Sequence, residues 1–170
     1  MNSRHFAALL LAASFGLGTS VSAAPPPTAT GEPDFSVEFP AGWACSNFGL
    51  KVDIWEGGAV VRQVKDRNGV VRALLAGTGN TFRYTNMLTG KTTSTRAGGA
   101  SQISTSYAVD GTQKVTTNGH VLVVWFPSDI PAGPSTNYYT GRFVYTLSPD
   151  YVGTMQSHSG NSRDICTELS

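Results

Sequence analysis

The sequence predicts an all-β domain, an antiparallel β-sandwich in preference to a closed β-barrel, and three observations carry that prediction. Short runs rich in Val, Ile, Thr, Tyr and Phe recur at roughly ten-residue spacing, separated by Gly, Asn and Asp turns. From Pro25 onward no stretch shows a helical period with caps. Two cysteines, Cys45 and Cys166, stand near the two ends of the β-rich region.

The N-terminal residues read differently. Arg4 and His5 precede an almost wholly apolar or small stretch, Phe6 to Gly18, and "SVSAAPPP" follows. This is the pattern of a secretory signal peptide cleaved after Ala23 or Ala24. The apolar run is about 13 residues, short of the roughly 20 that a membrane-spanning helix needs. Residues 1–24 are therefore expected to be a signal peptide and residues 25–34 a flexible Pro-rich leader with too few apolar side chains to pack. Residues 35–170 are expected to form a single all-β domain, secreted to the extracellular space and without a membrane span.

Within that domain "FSVEF" alternates Phe35, Val37 and Phe39, and "FGLKVDIWE" places Phe48, Leu50, Val52 and Ile54 on one face with Trp55 on the other. Asp53, between Val52 and Ile54, is assigned to the solvent face, and Glu56 to the strand's end. "AVVRQVKDRNGVVRALLA" reads as a hairpin about Asn68-Gly69. A two-residue type I′ loop there would set Lys65 opposite Arg72, like charges face to face, so a longer turn is preferred.

Further strands follow in "TFRYTNM" and "KTTSTRA" around the turn "LTGK", then in "SQISTSYAV" and "QKVTT" around "DGT". In "VLVVWFP", Val121 to Phe126 are six consecutive apolar residues, and both faces of such a strand need cover. The expected roof is the loop Pro127 to Asn137, stiffened by Pro127, Pro131 and Pro134. "YYTGRFVYTL" continues the pattern with Tyr138 and Tyr139 on opposite faces.

Two cysteines in an exported chain read as one disulfide, Cys45 to Cys166. Closing a loop of 121 residues stabilises a fold by ~4 to 5 kcal/mol on the chain-entropy account. The chain's end, "MQSHSGNSRDICTELS", holds serine, histidine, aspartate and cysteine side chains within ten residues, Ser157 to Cys166. It is read as the last strand of the domain tied down by the disulfide, with Val152, Thr154, Gln156 and His158 on one side and Gly153, Met155 and Ser157 on the other. Ser157 and His158 then point apart, which a nucleophile and its base do not.

Other chemistries have less support. Once Arg4 leaves with the signal peptide, 11 basic residues balance 11 acidic ones, whereas a nucleic-acid partner calls for a basic surplus. The densest basic stretch, Arg62, Lys65, Arg67 and Arg72, reads as a solvated hairpin face with Asp66 among the cations. His120 and His158 have no second ligand at metal-binding spacing, and no Gly-rich phosphate loop opens a helix, so no metal and no cofactor are expected. Asp110 and Asp150 lie in turns without further carboxylates at alternate positions, unlike calcium loops.

The strings "FPAGWACSNFGLKVDI", "VKDRNGVVR", "TNMLTGKTT", "DGTQKVTTNGHVLVVWFPSDIPAGPSTNYYTGRFVYTL" and "DICTEL" together resemble a group of small secreted single-disulfide β proteins of actinobacteria. The resemblance runs from about Phe35 to Leu169. It implies an exported bacterial β domain pairing Cys45 with Cys166, and it carries over no activity, cofactor or catalytic residue.

The expected function is therefore a non-catalytic binding or cell-surface interaction module. Its contact surface is expected around the Pro127 to Asn137 loop, with Trp125, Asp129, Tyr138 and Tyr139 as the binding residues and a glycan, peptide or lipid as the extracellular ligand. A competing expectation is a hydrolase of extracellular polymers, which needs two of Glu38, Asp53, Glu56, Asp129 and Asp164 facing each other at ~5 to 10 Å. A third is an oligomer in which "VLVVWF" forms the contact.

Overall fold

In a computed structural model of the chain, residues 12–13, 31–65, 67, 71–77, 79–96 and 101–170 are described. Apart from Ala12–Ala13, the readings of residues 1–30 fall outside these, as do the turn at Asn68-Gly69 and the pair Gly98-Gly99 expected to close the unit that ends in "KTTSTRA".

The β domain runs β1 (Phe35–Phe39), β2 (Leu50–Trp55), β3 (Ala59–Lys65), β4 (Val71–Gly77), β5 (Thr81–Asn86), β6 (Thr92–Arg96), β7 (Ser101–Tyr107), β8 (Gln113–Trp125), β9 (Ser135–Leu147), β10 (Gly153–Ser159), β11 (Ser162–Asp164) and α1 (Ile165–Leu169). Two antiparallel sheets result, and neither closes into a barrel. The smaller has strand order β1-β2-β5-β6, and the larger follows β10-β9-β8-β7-β4-β3. β11 pairs with β9 through Asn137 to Tyr139, and Ala12–Ala13 pair with His120 and Val121 of β8.

The long hairpin β8–β9 is the spine. It is thirteen residues on each side and in unbroken register, Ser135 facing Trp125 and Leu147 facing Gln113. Both of its faces are apolar, as the run Val121 to Phe126 demands. One face sends Leu122 and Tyr138 into a core with Leu50, Val52, Ile54, Phe82 and Tyr84 of the smaller sheet and with Ile165 and Leu169 of α1. The other face gathers Val115, Val121, Trp125, Tyr139, Phe143 and Tyr145 into a second core, with Met155 packed against it. Tyr138 and Tyr139 thus serve opposite faces, as strand geometry requires.

Midway along the spine the backbones of β9 and β10 touch. A Cβ at Gly141 would lie 2.2 Å from the Ser159 carbonyl oxygen, and one at Gly160 would lie 2.0 Å from that of Thr140. With φ at +101° and +119°, these two residues have to be glycine on both steric and conformational grounds.

The loop Pro127 to Pro134 folds back on the end of β8. Gly133 donates its N–H to the Phe126 carbonyl, and Ile130 bridges in parallel to Thr154 while exchanging backbone hydrogen bonds with Gly153 and Met155. Its peptide bonds Ile130-Pro131 and Gly133-Pro134 are cis.

The hairpin β3–β4 settles the charge question raised by Asn68-Gly69. Lys65 pairs with Val71 and Arg72 with Val64, so the connection is longer than two residues and Lys65 and Arg72 do not stand opposite each other in the register.

Three expectations are corrected. Asp53 is not on a solvent face open to water but only 1% exposed, because Lys51 and Arg83 lie over it. The chain's end is strand only as far as Asp164, in β10 and β11, and then turns helical: Asp164 caps the short helix α1 by accepting hydrogen bonds from the N–H and Oγ1 of Thr167, and Cys166 sits on that helix. In β10 a register shift between Val144 and Tyr145 leaves Gln156 unpaired, so His158 shares a face with Met155 and Gly153 instead of with Gln156 and Thr154. Ser157, opposite Val144, still points away from His158.

Candidate functional site

Residues expected at a binding surface lie inside the molecule. Trp125, Asp129, Tyr138 and Tyr139 are 2%, 6%, 5% and 7% exposed. Each has its polar atoms committed. The Trp125 indole N–H donates to the Tyr139 hydroxyl at 3.1 Å, and the Tyr139 ring stacks on Phe143 at 4.5 Å. The Tyr138 hydroxyl donates to the Arg96 carbonyl at 3.0 Å, joining β9 to the smaller sheet, and burial pushes its pKa up to about 12. Burial likewise raises Tyr139, opposed by its hydrogen bond with Trp125. Asp129 accepts from the N–H groups of Phe126 and Gly153, both at 2.7 Å, fixing the loop beside the Trp125 ring. Here the buried polar groups are satisfied, as interiors require, and they form structure, not a contact surface.

Of the carboxylates weighed for hydrolysis, Asp53, Asp129 and Asp164 are engaged in structural contacts. Asp53 accepts from Ser36 Oγ at 2.6 Å and pairs with Lys51 at 3.0 Å and Arg83 at 2.8 Å. The Arg83 guanidinium also lies 4.9 Å over the Trp55 ring. Burial acts to raise the Asp53 pKa, yet the hydrogen bonds from Ser36, Arg83 and Lys51 outweigh it and hold the group down at about 2. Such a group stays ionised and is no proton donor at neutral pH. Asp164 caps α1, Asp129 holds its loop, and Glu56 is exposed at the end of β2. His158 directs Nε2 to the Thr140 carbonyl and lies edge-on to Tyr139 at 4.8 Å, an aromatic packing role. Among the described residues there is no group of three or more His, Cys, Asp or Glu side chains placed to hold a metal ion.

An open cleft does exist, at the other end of the smaller sheet. It measures about 590 Å³ and is mostly apolar, lined by Phe39, Pro40, Ala41, Phe48, Met87 and Leu88. Glu38 and Asn47 contribute its polar groups. Leu88 is 78% exposed and Met87 50%. Local chemistry presents them there: the Asn86 side chain accepts from the N–H groups of Leu88 and Thr89, and Gly90, at φ +74°, returns its N–H to the Asn86 carbonyl. The turn that results carries its two apolar residues outward. Close approach seals the cleft's base, since Met87 donates its N–H to the Gly49 carbonyl and a Cβ at Gly49 would lie 3.2 Å from Met87 Sδ.

Beside the cleft stands Trp43, half-exposed at 52%. Its ring meets Phe126 edge-on at 6.2 Å, and Phe126 in turn packs on Phe39 at 6.4 Å, so the apolar surface is continuous from Trp43 to Leu88. The segment Pro40 to Asn47 that carries Trp43 is held by the disulfide Cys45–Cys166, Cα to Cα 5.5 Å, and by the Thr136 hydroxyl donating to the Ala44 carbonyl. Sequence reading missed this cleft. The available signal was an apolar pair, Met87-Leu88, inside an Asn-to-Gly turn, where turn chemistry alone favours polar residues.

The fold and this cleft define an all-β protein of two open antiparallel sheets, cross-linked end to end, with an apolar cleft beside the cross-link. Beyond that class no particular protein is indicated: no family model matches the chain, and no curated protein and no solved structure matches it. No helix among the described residues is long and apolar enough to cross a membrane.

Proposed function

We propose that the chain is an exported bacterial β domain, as its actinobacterial resemblance suggests, and that it acts as a binding module taking a small amphipathic ligand in the Phe39–Leu88 cleft. The observation that carries this reading is the solvent-open run of apolar side chains from Trp43 to Leu88. Apolar surface of this continuity on a small domain ordinarily has an occupant, and about 590 Å³ falls within the usual range for ligand sites. Glu38 and Asn47 at the cleft favour a ligand with an apolar body and one cationic or hydrogen-donating head.

The signal-like N-terminus and the disulfide support export, since such bonds persist in oxidising compartments. The carboxylates speak for binding over hydrolysis, because Glu38 alone among those considered lines the cleft.

Titration calorimetry with decylamine and decanoate, both below their micellar concentrations, tests the reading. Decylamine should bind one molecule per chain and more tightly than decanoate, with Glu38→Gln erasing the difference and Leu88→Ser weakening both. Equal, unsaturable uptake by the native chain and the Leu88→Ser variant would count decisively against it.

A further inference from the structure

Two of the strands that end the sheets of this protein carry opposite charge. β1 pairs only with β2 and ends the smaller sheet, while β3 pairs only with β4 and ends the larger. Unpaired strand edges present rows of free N–H and C=O groups, and proteins blunt them with proline, bulges, lysine or a covering element. β1, "FSVEF", contains no proline and no lysine, and its register with β2 runs without a bulge. It is flanked and interrupted by acid, Glu32, Asp34 and Glu38, with no basic residue from Gly31 to Phe39. β3, "AVVRQVK", is basic, with Arg62 and Lys65 in the strand and Arg67 just after it, and Arg62, Gln63, Val64 and Lys65 are all exposed. Exposure of consecutive residues means that both faces of β3 meet water there, at the outer arm of the larger sheet.

We propose that the β3 edge of one copy of this chain pairs antiparallel with the β1 edge of another. One register satisfies both edges. With Asp34 opposite Lys65, Glu32 falls opposite Arg67, Phe35 opposite Val64, and Phe39 opposite Val60. Opposed charges and opposed apolar side chains are the pairs that stabilise antiparallel strands. The apolar members are available for this: Phe35 is 37% exposed, Val64 52% and Val60 59%. None of Glu32, Asp34, Lys65 and Arg67 belongs to an ion pair among the described residues, and Asp34, which accepts a hydrogen bond from the Glu56 N–H at 2.7 Å, keeps its second carboxylate oxygen for a cation. Each copy offers one arm and one acceptor, so the contact is head-to-tail and leads to rings or open chains, not to a closed two-fold dimer.

Sedimentation velocity on the mature chain across a concentration series, at low and high salt, tests this. Association should rise with concentration and fall with salt. Glu32→Lys/Asp34→Lys and Lys65→Glu/Arg67→Glu double variants should each lose association by about tenfold or more, and an equimolar mixture of the two should regain it. Regain on mixing is a readout that misfolded variants do not give. A chain that stays monomeric to millimolar concentration overturns the proposal, as does association that ignores both charge reversals. Salt-sensitive retention on heparin that requires Arg62 and Lys65, without self-association, overturns it as well and assigns the arm to a polyanion.

Discussion

Cys45 and Cys166 lie 121 positions apart in the chain and 5.5 Å apart between their Cα atoms, and this bond joins the cleft segment to the terminal helix. Cys45 is fully buried beside Ala44, in the same core as Ile165 and Leu169 of α1. The cross-link is therefore continuous with packing on both sides. Replacing both cysteines by serine should lower unfolding free energy by about 4 kcal/mol in a urea titration, with a range of roughly 2 to 5. Because Trp43 sits two residues before Cys45, its fluorescence should shift towards the solvent-exposed maximum in the variant before global unfolding begins.

Asp53 makes acid stability a test of the buried ion cluster. Its pKa lies at about 2 in the folded chain against 3.8 for a free side chain. The folded state therefore holds this proton less tightly than the unfolded state does. A group depressed in this way contributes its full stabilisation above pH ~5 and loses it as pH falls through 4 towards 2. Lys51 and Arg83 are 35% and 41% exposed, which screens the pair, so the contribution is about 1 to 2 kcal/mol. Native and Asp53→Asn chains followed by urea unfolding at pH 7, pH 3 and below pH 2 should differ most at pH 7, by about half as much at pH 3, and converge only below pH ~2.

Much of the fold was legible in the chain, and the failures share a physical cause. Alternation identified Leu50, Val52 and Ile54 as core-facing, and all three are at most 2% exposed. The same rule put Asp53 in water, because a period of two says which face a residue takes but not what lies over that face. Arg83, thirty positions away, covers it. The bulge at Gln156 reversed the assignment of His158 for a related reason, since one unpaired residue shifts the parity of everything before it. Helix α1, five residues long, is too short to show a helical period. The candidate site was less legible than the fold: aromatic residues near a proline-rich loop, Trp125, Tyr138 and Tyr139, proved to be core, while the exposed apolar residues of the cleft, Met87 and Leu88, occupy a turn.

The Trp125–Tyr139 pair should behave as structure. Tyr139→Phe removes the acceptor and leaves the indole N–H buried without a partner, at a cost of about 1 to 3 kcal/mol. Trp125→Ala should cost about 3 to 5 kcal/mol through the cavity it opens among Phe143, Gly153 and Asp129. Thermal unfolding monitored by circular dichroism gives both values. In folded Tyr139→Phe, decylamine affinity should match that of the native chain.

Gly141→Ala is expected to be the most damaging single-methyl change in the spine. The added carbon would sit 2.2 Å from the Ser159 carbonyl oxygen, which is backbone and has no rotamer to yield. The φ of +101° adds strain for any L side chain. A loss of about 4 kcal/mol or more is expected, seen as an inability to recover folded protein or as a midpoint shifted far below that of the native chain. Gly42→Ala serves as the comparison. It too has positive φ, +81°, but nothing lies within 4 Å of its added carbon, so its cost reflects backbone strain alone and should be about 1 kcal/mol.

Leu88→Ser separates binding from folding most cleanly. Leu88 is 78% exposed, and its backbone N–H, not its side chain, is what the Asn86 carboxamide holds. Little apolar area therefore returns to water on truncation, and unfolding free energy should stay within about 0.5 kcal/mol of native. The cleft, however, loses the most prominent part of one wall. A ligand whose apolar body lies between Phe39 and Leu88 should lose about 1 to 2 kcal/mol of binding free energy, on the scale of one or two methylenes removed from contact, which is roughly a five- to thirtyfold rise in Kd. Asn86→Ala acts by another route. It strips the turn of its capping acceptor and the Leu169 carbonyl of the Asn86 carboxamide donor, so stability and binding should fall together. Calorimetric titration paired with urea unfolding on the two variants distinguishes a cleft that binds from a turn that merely folds.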